Sequence, residues 1–180
     1  MRLKIIAGTL GGRFFESPHG HKTHPMSEKM RGAIFNALGD IEGLSLLDAF
    51  GGSGALAFEA NSRGIGKITV VEIEKSAYQT IVNNAQTLGI TSNITIVRAN
   101  VMSWTKRNQK NKFDIVFCDP PYDKILYKSL LELAKTVKKN GIIVYSMPVD
   151  NDFKLSDNEF EKLTYKQYAG GTLAFYRRIS

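Results

Sequence analysis

The four residues Asp119, Pro120, Pro121 and Tyr122 combine a carboxylate, a rigid backbone and an aromatic ring. Consecutive prolines fix φ at two positions and lack N–H groups, so this segment keeps one shape. A carboxylate and a fixed carbonyl can accept the two hydrogens of an exocyclic amine, while the tyrosine stacks on a flat ring. We therefore interpret all four as candidate catalytic residues acting on an amino group of a planar substrate.

The tetrapeptide closes an apolar run, residues 113–118, which predicts a buried strand. It thus lies at the carboxyl end of a strand, where open α/β sheets bind ligands. The only cysteine, Cys118, belongs to this run, so we expect a buried and unreactive thiol. Three histidines, His19, His21 and His24, share one short segment that we interpret as a solvated loop, and no metal site is predicted.

The rest of the chain alternates between strand and helix patterns. Ser27 is a candidate N-cap for a helix whose apolar face is Met30, Ile34, Ala37 and Leu38. Asn140 and Gly141 are interpreted as the end of the last helix. Predicted strands cover residues 3–6, 13–16, 44–50, 67–72, 93–98, 113–118, 142–145, 160–167 and 172–178, and predicted helices cover 27–38, 55–63, 75–88 and 126–139.

This alternation predicts an α/β fold with a doubly wound, mostly parallel sheet that is covered on both faces. The last two strands flank Gly170 and Gly171 and predict an antiparallel hairpin, which puts one reversed strand in the sheet. That arrangement resembles the Rossmann-like sheet of S-adenosylmethionine-dependent methyltransferases. We predict an N-terminal β-hairpin extension and loop over residues 1–26 and the class I methyltransferase domain over residues 27–180.

A glycine-rich turn follows the strand over residues 44–50 and opens the next helix. Gly52, Gly54 and Ala57 satisfy the Gly-x-Gly-x-x-Gly/Ala pattern of nucleotide-binding turns, and Glu72 follows 20 residues after Gly52. An acid at that place accepts hydrogen bonds from ribose hydroxyls. The alternative is a purely structural turn with a surface acid.

Asp48 precedes the turn and distinguishes between nucleotides. A carboxylate there is unfavourable beside a pyrophosphate and favourable beside a sulfonium with an amino group, which favours S-adenosylmethionine over nicotinamide cofactors. Asn100 and Val101 follow the third strand of the main sheet, where they can contact adenine. The candidate cofactor-binding residues are Asp48, Phe50, Gly51, Gly52, Gly54, Glu72, Ile73, Asn100, Val101 and Asp119.

The charge of the chain favours a polyanionic partner. The formal net charge is +7 and the sequence pI about 9.5, and residues 1–31 carry six basic residues against two acidic ones. We predict an RNA-binding surface formed by Arg2, Lys4, Arg13 and Arg31. The alternative is a solvated edge with scattered charges.

Composition indicates a globular protein, with 43% hydrophobic and 23% charged residues. No apolar run approaches the roughly 20 residues of a membrane helix, and the opening residues 1–8 are too short an apolar stretch for a signal peptide. We therefore expect a soluble, cytoplasmic protein. As a separate expectation, which these observations do not decide, the protein is a monomer.

The ordered motifs resemble a known family, the RsmD family of 16S rRNA (guanine-N2)-methyltransferases. The resemblance runs nearly end to end and is carried by the short size and by motifs in residues 2–8, 12–13, 24–31, 34–36, 47–64, 119–122 and 168–176. Three positions depart from the family pattern. His24 replaces arginine, Gly32 replaces glutamate, and Asn100 stands where aspartate is common.

The resemblance implies methyl transfer from S-adenosylmethionine to N2 of a guanine in 16S rRNA, within an assembled or assembling small ribosomal subunit. It implies that the Asp119 carboxylate and the Pro120 carbonyl hold the amine while Tyr122 stacks on the base. Three alternatives stay open on the sequence: an amino-group methyltransferase for DNA adenine or protein glutamine, a nicotinamide-dependent oxidoreductase, and a nucleic-acid-binding module with an inactive cofactor site.

Overall fold

A computed structural model describes residues 1–18, 26–125 and 127–180. Its centre is a seven-stranded sheet, and a separate two-stranded hairpin lies at the N-terminus. The hairpin consists of β1 (Arg2–Lys4) and β2 (Phe14–Glu16). The main sheet consists of β3 (Ser45–Asp48), β4 (Lys67–Glu72), β5 (Ile94–Arg98), β6 (Phe113–Cys118), β7 (Val137–Met147), β8 (Phe160–Tyr168) and β9 (Gly171–Arg178).

The strand order of the main sheet is β5-β4-β3-β6-β7-β9-β8. The pairings from β5 through β7 are parallel, whereas β9 pairs antiparallel with both β7 and β8. One reversed strand therefore enters the sheet through the C-terminal hairpin, which confirms the predicted fold class. The strand order reverses direction around β3 and β6, so their carboxyl ends flank the crevice where such sheets bind ligands.

Five helices cover the sheet within the described ranges: α1 (Glu28–Leu38), α2 (Ala55–Ser62), α3 (Lys75–Leu88), α4 (Val101–Arg107) and α5 (Tyr127–Ala134). The predicted N-cap is confirmed, because the Ser27 hydroxyl accepts a hydrogen bond from the Met30 N–H at 3.2 Å. Gly89 ends α3 in the left-handed conformation, as its position predicted.

The region after α5 corrects the sequence interpretation. The helix ends at Ala134, and Asn140 and Gly141 lie inside β7 instead of ending a helix. Between Phe113 and Ile115 of β6, the pairing with β7 shifts from Val137 to Ile142, so β7 contains three extra residues at this irregularity. A Cβ at Gly141 would lie 2.8 Å from the Asp114 carbonyl oxygen, so glycine is required by the close approach of two strands.

Two apolar clusters lie on the two faces of the sheet. Cys118 is buried in one of them, as predicted. The N-terminal hairpin contributes Ile5 and Phe15 to the other cluster, where the Phe15 ring packs edge-on against Phe58 of α2. The hairpin therefore packs against α2, the helix that follows the glycine turn. The predicted domain boundary after residue 26 stays a prediction.

No helix among the described residues is long and apolar enough to cross a membrane.

Candidate active site

The glycine turn between β3 and α2 is shaped by close packing. Gly54 has φ of +79°, and a Cβ there would come 2.7 Å from the Phe58 ring, while a Cβ at Gly51 would come 2.6 Å from the Val70 side chain. Gly52 also has positive φ, at +53°, but a Cβ there would meet only the Phe50 carbonyl oxygen at 3.7 Å. Gly52 thus borders open space, which leaves room for a ligand to approach the backbone.

Glu72 holds the glycine turn in place. One of its carboxylate oxygens accepts the Gly52 N–H and the other accepts the Glu74 N–H, both at 2.7 Å. Burial raises the pKa of Glu72, and the backbone N–H groups of Glu74 and Gly52 oppose that rise. The side chain lies at the end of β4, and the adjacent Ile73 is 55% exposed. The Glu72 carboxylate and the exposed Ile73 side chain therefore lie side by side at the position where the sequence predicted a ribose contact.

Asn100 and Val101 lie where β5 gives way to α4. The Asn100 side-chain oxygen accepts the Ser103 N–H at 3.1 Å and caps the helix. Asn100 is exposed and Val101 half-buried. The predicted adenine contact stays a prediction, and any contact through the Asn100 side chain has to use an amide whose oxygen already caps α4.

Asp48, at the end of β3, is the most unusual side chain of the cofactor region. It is 1% exposed, and neither carboxylate oxygen has a partner within hydrogen-bond distance and angle among the described residues. Burial raises the pKa of Asp48 to about 7, and the neighbouring Asp119 carboxyl contributes in the same direction. The backbone N–H groups of Phe50 and Ala57 oppose that rise without making well-formed hydrogen bonds to the carboxylate. A buried carboxylate without a partner is unfavourable unless a positive charge arrives to pair with it. The site therefore fits a cationic cofactor, as S-adenosylmethionine is.

The tetrapeptide lies at the carboxyl end of β6, next to the end of β3. Pro120 is buried and Pro121 is exposed, and a short 3₁₀ turn begins at Tyr122. The Tyr122 side chain is 38% exposed, so part of its ring is available for stacking. Partial burial raises the pKa of Asp119 to about 6, and the nearby Ser146 hydroxyl opposes that rise.

Sequence reasoning missed several residues around Asp119. The side chains packed around its carboxyl belong to Met26, Ile34, Leu56, Phe117, Val144 and Ser146. Ser146 follows the predicted strand 142–145, so the rule that ligands bind at carboxyl ends of strands could have identified it. Nothing in the sequence pattern indicated Met26 or Leu56, because they reach Asp119 from the residues before α1 and from α2.

The candidate RNA-binding residues divide into two groups. Arg2 is exposed, pairs with Glu16 at 3.5 Å and lies over the Phe14 ring at 5.2 Å from its centroid. Lys4 is half-buried on the same strand. Arg13 is exposed and donates to the Leu88 carbonyl oxygen at the end of α3 at 3.3 Å. These three remain available as surface charges.

Arg31 does not belong to that surface, and the prediction that it binds RNA is wrong. Its side chain is 1% exposed, its Nε lies 3.7 Å from the buried Glu59 carboxylate, and it donates to the Lys4 carbonyl oxygen. The buried face of α1 consists of Met30, Arg31, Ile34 and Phe35 in place of the predicted Met30, Ile34, Ala37 and Leu38. Arg31 is buried because Glu59 supplies a countercharge inside the protein.

Two positions that depart from the family pattern, Gly32 and His24, lie in or just before α1. Gly32 lies in α1, where a Cβ would meet only the Ile6 side chain at 3.8 Å, an ordinary contact. His24, with His19 and His21, lies outside the described residues.

Gly52→Ala is expected to weaken cofactor binding by about tenfold or more, because the added methyl group fills the space beside the turn. Gly89→Ala is a matched control: Gly89 has a similar φ of +73° and an open surrounding, but it lies at the far end of α3. Both changes place alanine in the left-handed region and should destabilise folding by about 1–2 kcal/mol. Calorimetric titration with S-adenosylmethionine, with thermal melts of both variants, tests this expectation. Equal loss of affinity in the two variants contradicts it.

Comparison with known proteins places this geometry in a family. The model of the family described as Conserved hypothetical protein 95 matches residues 3–177. The chain is 37% identical over 146 residues to ribosomal RNA small subunit methyltransferase D of Buchnera aphidicola, covering 79% of this chain and 76% of that one. It is 32% identical over 135 residues to the protein of that name from Escherichia coli, covering 74% and 67%. The solved structure of yhhF from Escherichia coli superimposes with a TM-score of 0.88 at 28% identity, covering 99% of both chains.

Proposed function

This chain belongs to the Conserved hypothetical protein 95 family, and from that premise we propose that it methylates N2 of a guanine in the 16S rRNA of the small ribosomal subunit. The two named relatives from Buchnera aphidicola and Escherichia coli are small-subunit rRNA methyltransferases, which supports an rRNA substrate and S-adenosylmethionine as the methyl donor. The single observation that carries the proposal is the position of Asp119 beside the buried Asp48 carboxyl, with Tyr122 opening the turn that follows Asp119.

Asp48, Gly52 and Glu72 are the residues that would hold the cofactor. S-adenosylmethionine supplies an electrophilic methyl group on a positively charged sulfur. The Asp48 carboxylate pairs with positive charge, Gly52 lets the ligand approach the backbone, and the Glu72 carboxylate keeps lone pairs for ribose hydroxyls. Phe50, Gly51, Gly54, Ile73, Asn100 and Val101 complete the proposed contact set.

Asp119 and Pro120 orient the amine that is to be methylated. The lone pair of N2 is delocalised into the guanine ring, so the amine is a weak nucleophile. The carboxylate and the proline carbonyl accept its two hydrogens, direct the lone pair outward and stabilise the positive charge that develops on nitrogen. With its pKa raised to about 6, Asp119 is ionised at neutral pH and is a competent acceptor for the departing proton.

Tyr122 holds the base, and Pro121 fixes the turn from which its ring projects. An exposed part of the tyrosine ring supplies a stacking surface, an interaction worth roughly 1–3 kcal/mol per base. The target guanine has to leave its stack to reach this position. An rRNA substrate also implies a cytoplasmic site of action and a small-subunit partner, and we propose separately that the enzyme is a monomer.

The basic hairpin supports docking of the RNA. Exchanging both Arg2 and Lys4 for glutamine is expected to raise the KM for RNA about tenfold and to reduce the salt dependence of binding by about 1.5 in the log–log slope. The matched control exchanges Lys106 and Lys110, two exposed lysines at the end of α4 and after it, for glutamine. Fluorescence titration of RNA at several salt concentrations measures both effects. If the control pair loses as much affinity, the hairpin has no special role.

The test of the function is methyl transfer from labelled S-adenosylmethionine to small ribosomal subunits that lack the modification, followed by nucleoside analysis. Naked 16S rRNA, DNA and bulk protein are assayed in parallel. Label in N2-methylguanosine supports the proposal and reveals whether the subunit or the naked RNA is the substrate. Label only in DNA or protein overturns the rRNA assignment and leaves the other amino-group acceptors.

A further inference from the structure

We propose that Glu59 and Asn84 are positioning residues that set the orientation of the N-terminal hairpin on the core of the protein. The hairpin comprises β1, β2 and the segment that connects them. Its role in docking RNA rests on the proposed function, whereas its attachment to the core is a property of the protein itself. Neither residue was among the candidate site residues predicted from the sequence.

The hairpin depends on the core for its position. Strands β1 and β2 pair over three residues each, and an isolated two-stranded hairpin is marginally stable in water. Ile5 and Phe15 attach it to the core through apolar contacts, but the hydrophobic effect has no directionality. The direction in which the hairpin points is therefore set by its hydrogen bonds to the helices against which it packs.

Glu59 of α2 is the first anchor, and its side chain is completely buried. One carboxylate oxygen accepts the Ile6 N–H at 2.7 Å, and the other accepts the Ala7 N–H at 3.1 Å. The Arg63 Nε–H donates to the second oxygen at 2.9 Å, and the Arg31 Nε lies 3.7 Å from the first. The two guanidinium groups supply the countercharge for a carboxylate, and only a carboxylate offers an acceptor oxygen to each backbone N–H.

Ser62, three residues further along α2, extends this anchor. Its carbonyl oxygen accepts the Thr9 N–H at 2.7 Å, and its hydroxyl accepts the Leu10 N–H at 2.9 Å and donates to the Ala7 carbonyl oxygen. A Cβ at Gly8 would overlap the Ser62 carbonyl oxygen. The segment between β1 and β2 therefore lies directly on the C-terminal half of α2.

Asn84 of α3 is the second anchor, and it holds the opposite end of the hairpin. Its side chain is 6% exposed, its amide oxygen accepts the Glu16 N–H at 3.1 Å, and its amide nitrogen donates to the Glu16 carbonyl oxygen at 2.7 Å. Helix α2 follows the glycine turn, and α3 follows β4. The two anchors thus tie the basic residues Arg2 and Lys4 of β1 to the elements that frame the cofactor region.

Glu59→Gln and Asn84→Ala test the anchors separately. Glutamine turns an NH₂ group toward one of the two backbone N–H groups, and alanine removes both contacts with Glu16. Each change should raise the KM for RNA about five- to tenfold. The kcat at saturating RNA and the affinity for S-adenosylmethionine should stay within about twofold of wild type, because a reoriented hairpin weakens docking and leaves the crevice intact. Asn84→Ala removes no charge, so it carries the test if Glu59→Gln, which leaves Arg31 buried without its countercharge, does not fold.

Asn93→Ala is the matched control. The Asn93 amide also makes two hydrogen bonds, one with the Asn61 side chain of α2 at 2.7 Å and one to the Ile65 carbonyl oxygen at 3.1 Å, and neither involves the hairpin. The control should keep the wild-type KM for RNA. An equal rise of that KM in Asn93→Ala overturns the proposal, as does a loss of kcat or cofactor affinity in the anchor variants as large as the rise in KM.

Amide hydrogen exchange tests the anchoring without RNA. The Ile6 and Ala7 amides should exchange at least about tenfold faster in Glu59→Gln, and the Glu16 amide in Asn84→Ala, while the amides of β6 keep their wild-type rates. Unchanged exchange at these three amides overturns the proposal even if the wild-type enzyme methylates guanine N2. If the wild type methylates no guanine, faster exchange together with weaker RNA binding by the variants supports the positioning role and removes only the proposed function.

Discussion

Asp119→Asn is expected to lower the rate of methyl transfer by about 10²–10⁴-fold while the protein stays folded and binds its cofactor. Asparagine keeps one acceptor oxygen but turns an NH₂ group toward the substrate amine, where donor would face donor. It also removes the negative charge that stabilises the developing cation and the group that accepts the proton. The effect should therefore fall on kcat under single-turnover conditions.

The fold should tolerate this change, because the raised pKa of Asp119 means that its ionised carboxyl disfavours folding. A carboxyl whose pKa rises to about 6 on folding contributes stability that is present below its unfolded pKa of about 3.9 and is lost as the pH rises through 6. At pH 8, Asp119 is a half-buried charge that disfavours folding. A neutral asparagine removes this penalty, so the variant should melt no lower than the wild type at that pH.

Asp114→Asn is the matched control, because Asp114 lies at the opposite end of β6. Its carboxylate accepts hydrogen bonds from the Ser45 hydroxyl and the Lys138 ammonium at 2.6 and 2.8 Å. The control should cost some stability and leave the chemical step unchanged. Rates within tenfold of wild type for Asp119→Asn would exclude the carboxylate as the group that activates the amine.

The sequence predicted best where local pattern and buried environment agree. Strand β6 and helix α3 have the bounds that their apolar patterns indicate, and the glycine turn lies between β3 and α2 as expected. These elements are specified by period and by turn residues, which are local properties. The candidate site could be located for the same reason, because Asp48, Glu72 and Asp119 all directly end or follow such strands.

The failures depend on contacts between distant segments. The pair Asn140 and Gly141 has the composition of a helix end, but it lies in an irregular part of β7 against Asp114 of β6. The sequence pattern of Arg31 indicates a surface charge, but in the fold Glu59 of α2 packs against it. Ser146 carries no motif, and only the fold brings its hydroxyl against the Tyr122 hydroxyl. Neither charge pairing nor strand register at such separations is encoded in a local pattern.

Asp48→Asn is expected to have two opposite effects: a more stable protein above pH 7 and a loss of cofactor affinity of about 100-fold or more. Burial raises the pKa of Asp48 to about 7. A raised carboxyl pKa gives stability below pH 4 that disappears as the pH rises to 7, because the folded state must then bury a charge. Neutral asparagine should recover as much as about 4 kcal/mol at pH 8 and almost nothing at pH 4.

The same carboxylate explains the expected loss of binding. A positively charged cofactor pairs with the ionised form of Asp48, so its affinity for the wild type should fall up to about tenfold per pH unit below pH 7. In Asp48→Asn the affinity should be low and nearly independent of pH. The product S-adenosylhomocysteine has lost the sulfonium charge and keeps the ammonium group, so comparing the two ligands reveals which cation Asp48 faces. A much smaller loss for the product identifies the sulfonium, and equal losses identify the ammonium.

Thermal melts from pH 4 to pH 9 without ligand, combined with calorimetric titrations of both ligands, measure these effects together. A gain of about 5–10 °C for Asp48→Asn at pH 8, vanishing toward pH 4, is the expected signature. Glu72→Gln is a suitable comparison, since Glu72 is also buried with a raised pKa but accepts two backbone N–H groups. It should lose those charge-assisted bonds and melt lower at pH 8. If Asp48→Asn also melts lower, the carboxylate has a partner inside the folded protein and is not reserved for a cation.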